Sequence, residues 1–111
     1  MTSKLPDHHS FSEALRRRVL EGPGETDPVL RSRVAARASG GPPIEAPYDD
    51  LARQIGEAAF RITDAQVLSV LTAAGSEKAT FELIVTAATG AGLSRGKQAI
   101  KVLKDAGDAP A

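Results

Sequence analysis

The chain has no cysteine and no tryptophan, and only one methionine, one tyrosine and three phenylalanines in 111 residues. Without thiols there is no disulfide framework and no thiolate zinc site. So few aromatic rings favour close helix packing over large aromatic pockets. Neither sign of charge dominates: 14 Lys and Arg stand against 14 Asp and Glu. There is therefore no cationic excess to release counterions from nucleic acid or to hold an anionic membrane. No apolar run approaches the roughly 20 residues of a membrane span, and the N-terminal MTSKLPDHHS lacks the apolar centre of a signal peptide. The composition reads as a cytoplasmic protein with neither a nucleic-acid nor a membrane partner.

A chain this short forms one domain at most, and if its N-terminal part is flexible the packed portion is about 60 to 70 residues. Such a core leaves little surplus over chain entropy, and small domains compensate with disulfides, a metal or a partner subunit. With thiols absent, self-association is the remaining route.

Along the chain the punctuation is helical. Residues 1–10 have no periodicity and read as a flexible tail, with Ser10 and Glu13 spaced as a capping box ahead of FSEALRRRVLEG. Phe11, Leu15 and Val19 mark one face of that helix, with Arg16, Arg17 and Arg18 mostly outside it. Asp27 before Pro28 starts a second helix, in which Val29, Leu30 and Val34 recur. Together residues 11–38 read as an N-terminal helical extension. The Gly- and Pro-rich SGGPPIEAP, residues 39–47, reads as a linker. From 48 to 106 apolar residues again recur at helical spacing: Leu51, Ile55, Ala58, Ala59 and Ile62, then a helix capped by Thr63 with Gln66 and stopped by Gly75. Ser76 caps the next, where Phe81, Ile84, Val85 and Ala88 fall at i, i+3, i+4 and i+7. A last helix after Ser94 carries Ala99, Ile100 and Leu103, and 107–111 is a tail. Nothing alternates with period two for long enough to form a strand. The expected fold is an all-α bundle with Ile55, Leu68, Leu71, Phe81, Ile84, Val85 and Leu103 in its core.

Candidate chemistry is sparse. Asp7, His8 and His9 could form a metal patch but lack a third positioned ligand, and no metal or other cofactor is expected. TAATGAGLSRGKQ, residues 86–98, superficially suggests a phosphate loop. Gln98 follows Gly96 and Lys97 where Ser or Thr must bind magnesium, and a helix rather than a strand precedes it. Both histidines lie in the tail, so no Ser/His/Asp set can be assembled. Glu57, Arg61 and Asp64 remain the catalytic candidates, carboxylates and a counter-charge near one helix junction. Asp49 and Asp50 are further carboxylates nearby, and Asp64 alternatively serves the helix N-terminus, where negative charge is favoured.

LTAAGSEKATFELIVTAATGAGLSRGKQAIKVL, residues 71–103, resembles the AhpD-like, carboxymuconolactone decarboxylase family. The likeness lies in a helix ending in A-A-G, then S-E-x-x-x-F-E-L, an Ala-rich helix with G-A-G and a closing helix, and spans residues 48–106. Redox members of that family carry C-x-x-C-x-x-x-H, whose places fall near Phe60, Thr63 and Val67, with an upstream acid near Tyr48. None of those residues has the required chemistry, and a cysteine-free chain supplies no peroxidatic thiolate. The resemblance implies a homotrimer or homohexamer, or association with a related catalytic subunit, and a structural or accessory role. The alternative it implies is decarboxylase-like acid/base chemistry on a small organic acid.

Overall fold

A computed structural model describes residues 8–108, without the side chains of His8, His9 and Asp108. The described residues form five α-helices and no strand: α1 His8–Glu21, α2 Pro28–Ala38, α3 Tyr48–Ala58, α4 Asp64–Ala74 and α5 Glu77–Asp108, with a 3-10 turn at Ala59–Arg61 between α3 and α4. The all-α expectation holds for these residues. None of the helices is long and apolar enough to cross a membrane.

The punctuation acts as its chemistry requires. Asp27 accepts the Val29 N–H at 2.9 Å, Thr63 and Gln66 form a reciprocal capping box, and Ser76 accepts the Ala79 N–H at 3.1 Å. Gly75 takes φ 89° and donates its N–H to the Leu71 carbonyl, ending α4. At the first helix the outcome differs: α1 begins at His8, so Ser10 lies inside it and the Ser10 and Glu13 pair does not mark its start.

One apolar cluster unites α2 to α5: Val34 and Ala38 of α2, Leu51, Ala52 and Ile55 of α3, Val70 of α4, and Leu83, Ala87 and Ala91 of α5. Residues 39–47 therefore join two helices of the same core. Arg37 fastens this segment, donating to Asp49 at 2.7 Å and to the Gly41 carbonyl, while the Ile44 N–H donates to the same carboxylate at 2.9 Å. The Ile44 N–H acts first, and with Arg37 outweighs partial burial to hold the Asp49 carboxyl below its usual range.

Helix α5 departs most from expectation. The break foreseen between Gly90 and Ser94 is absent, and one helix of 32 residues, about 48 Å, continues through Gly90, Gly92 and Gly96. Its buried positions are Ala79, Thr80, Leu83, Thr86, Ala87, Gly90 and Ala91, mostly small, rather than the Phe81, Val85 and Ala88 stripe. Phe81 is 67% exposed, Leu103 72%, Leu68 58% and Val85 37%, so these four leave the expected core; Leu71 and Ile84 are half-buried. The physical reason is interhelix distance. Where α2 crosses α5, a Cβ on Gly90 would stand 2.9 Å from the Ala35 Cα, and only small side chains permit that approach.

Candidate functional site

The carboxylates and arginine singled out by sequence, Glu57, Arg61 and Asp64, are all exposed. Glu57 is exposed at the end of α3, pairs with Arg53 at 2.9 Å, and stands at the edge of an open cleft of about 230 Å³. Arg61 is exposed in the 3-10 turn, its guanidinium 5.8 Å from the centre of the Phe60 ring. Asp64 is exposed in the first turn of α4, where it complements the helix dipole. Asp49 serves the loop before α3, and Asp50 binds Gln66 and Arg53, which together hold its carboxyl below the usual range. The TAATGAGLSRGKQ segment lies wholly within α5, with no loop to cradle a phosphate. Of the proposed metal patch, Asp7 lies outside the described residues, as do the side chains of the two histidines; among the described residues no group of three or more His, Asp or Glu could hold a metal.

A polar hub appears instead around Arg31 and Glu82. Arg31 is 2% exposed and donates to the Val19 and Gly22 carbonyls at 2.8 and 2.7 Å, closing the end of α1. Its Nε faces Glu82 at 3.4 Å without a hydrogen bond. Glu82 accepts the N–H groups of Glu25 and Thr26 at 2.8 and 3.0 Å and the Thr26 hydroxyl. Burial pushes this carboxyl up, but the Thr26 hydroxyl, the two N–H donors and the Arg31 charge prevail and hold it below its ordinary value. The sequence does carry a signal for Arg31: with Val34, Ala35 and Ala38 it falls at i, i+3, i+4 and i+7, on the buried face. The hub anchors the α1 to α2 connection onto α5.

Two uncovered features are large enough to matter. The first is a groove of about 490 Å³ between α1, α2 and α5. Small residues of the α2 and α5 crossing, including Ala35, Ala36 and Gly90, form its floor, and Leu20 and Leu93 add apolar lining. Helix α1 lines it with Ser12, Glu13 and Arg16, leaving Phe11 59% and Leu15 38% exposed. This turns α1 by one residue from the expected inward face of Phe11, Leu15 and Val19: Ser12 and Leu20 are buried and Val19 is half-buried.

The second is the outward side of α5. Phe81, Val85, Ala88, Gly92, Ala99 and Leu103 are all exposed and recur along one side of the helix, opposite its buried face. From Gly92 to Gly107 no residue is buried, so the C-terminal half of α5 has no core beneath it among the described residues. Arg95, which would flank the stripe, donates instead to the Gly56 carbonyl. Comparison with protein-family models, with curated proteins and with solved structures finds no match to this chain.

Proposed function

We propose that the protein is a non-catalytic helical assembly module, structural or accessory in role, in which α5 of one copy packs along α5 of a second. The observation that carries this reading is the uncovered stripe on α5, and its spacing argues for a copy of the same chain. Phe81 and Leu103 are each 11 residues from Gly92, and Val85 and Ala99 are each 7 from it. An antiparallel pair centred on Gly92 sets Phe81 against Leu103 and Val85 against Ala99 twice over, as an isologous interface requires. A Cβ added at Gly92, the centre of the stripe, would meet nothing within 4 Å, so a second backbone can approach closely there.

A single helix has little stability without packing, which gives the exposed half of α5 a reason to pair. The resemblance to AhpD-like proteins, carried by residues 71–103, supports an assembling, non-redox role in a chain with no cysteine. Antiparallel pairing is a two-fold operation, so its smallest product is a dimer; a hexamer with 32 symmetry contains the same pair, whereas a closed trimer does not. Native mass spectrometry over a dilution series tests the reading. The expected result is an even-numbered assembly for the wild type and a helical monomer for Leu103→Glu. A wild-type monomer at all concentrations, or an assembly unaffected by Leu103→Glu, would refute it.

A further inference from the structure

The groove between α1, α2 and α5 poses a different question, because α1 presents it with the wrong residues for a core element. A helix that packs for stability turns its apolar side inward, yet Phe11 and Leu15 face out while Ser12, Glu13 and Arg16 join Leu20 along the groove. Glu13 is half-buried and Arg16 exposed, so the groove has a charged rim above its apolar floor. The space left is about 490 Å³, within the range of small-ligand sites, which are mostly apolar with a few convergent polar groups.

The polar groups define a ligand. Arg31, Arg33, Arg37 and Arg53 all have carboxylate partners, but Arg16 and Lys97, which both line the groove, have none among the described residues. The hydroxyls of Thr89 and Ser94, also on its wall, make no hydrogen bond among the described residues, whereas those of Thr80 and Thr86 on the same helix bond back to carbonyls one turn earlier. Leu20 and Leu93 each stand one helical turn from a cation, Arg16 and Lys97 respectively. Two cations outnumber Glu13 among the lining residues, so the charge along the groove favours an anion.

We infer that this groove binds a small amphipathic carboxylate, its apolar body on Leu20, Ala35, Gly90 and Leu93 and its carboxylate between Arg16 and Lys97, with Thr89 and Ser94 as hydrogen-bond donors. Glu13 accepts from a hydroxyl or amino group where the ligand carries one. The groove lies on the opposite side of α5 from the Phe81 to Leu103 stripe, so the inference stands independently of self-assembly.

Octanoate and 1-octanol, which share a chain length and differ in charge, are suitable probes. Titration of the isotope-labelled protein by two-dimensional amide NMR should show saturable octanoate shifts at Ser12, Arg16, Gly90 and Leu93. Binding of 1-octanol should be about tenfold weaker, the effect of losing a charge-assisted hydrogen bond. The double variant Arg16→Gln, Lys97→Gln, both exposed positions whose replacement spares the core, should bring octanoate down to the level of 1-octanol and leave 1-octanol unchanged. Shifts confined to the outward stripe of α5, no shift at millimolar octanoate, or undiminished octanoate binding by the double variant would each overturn the assignment.

Discussion

At Glu82 a single carboxylate accepts two backbone N–H groups and the Thr26 hydroxyl and faces the buried Arg31. Its pKa lies below the ordinary 4.5 in the folded chain, so folding favours the ionised form. The stabilisation is therefore fully present above the unfolded value and is lost as pH falls through the folded one. Chemical denaturation at pH 6 and pH 3 should show the wild type losing more stability on acidification than Glu82→Gln. Equal losses would mean that this carboxylate is not the acid-sensitive group. Arg31 itself was legible from its spacing with Val34 and Ala38, but its partner was not, because Glu82 lies 51 residues away and only tertiary packing joins them. The candidates Glu57, Arg61 and Asp64 are a related case. They lie close together along the chain, but the turn at Ala59–Arg61 leaves each of them exposed.

At the scale of helices, the capped ends were readable, whereas the start of α1 and the buried faces of α1 and α5 were not. Caps at Asp27, Thr63, Ser76 and Gly75 are local hydrogen-bond and backbone effects, which a few neighbouring residues determine. The choice of buried face on α5 is not local. Both Phe81 with Val85 and Leu83 with Ala87 have helical spacing, and the close crossing over Ala35 selects the second. Two pairs of variants follow. Leu83→Ala, at a position only 2% exposed, should lower unfolding free energy by about 2 to 5 kcal/mol, while Phe81→Ala should leave the unfolding of the isolated monomer nearly unchanged. The opposite ranking would place the core on the wrong side of α5. Gly90→Ala should cost about 1 to 3 kcal/mol through overpacking against Ala35. Gly96→Ala, with nothing within 4 Å, should instead stabilise the helix by about 1 kcal/mol. Thermal melts of the two should therefore move in opposite directions.

For the whole molecule, the buried apolar side chains are mostly Ala, Val and Leu, and the large apolar residues Phe60, Phe81 and Leu103 lie outside. The extents, 54 by 35 by 21 Å, follow from a helix longer than the body it packs on. That shape could not be read from the glycines of α5, which suggest breaks by propensity but are carried through by packing at Gly90. An elongated monomer with an uncovered stripe is the basis for the proposed pair of α5 helices. The absence of native cysteine makes a direct test clean, because any disulfide must come from an introduced residue. Gly92→Cys places one thiol at the proposed two-fold centre, and Ser32→Cys, on exposed α2 surface, serves as its control. A disulfide needs Cα atoms within about 7 Å of each other. Under mild oxidation, rapid and near-complete cross-linking of Gly92→Cys, with little for Ser32→Cys, is the predicted result. Equal slow cross-linking of both, or none at Gly92→Cys, would contradict the account.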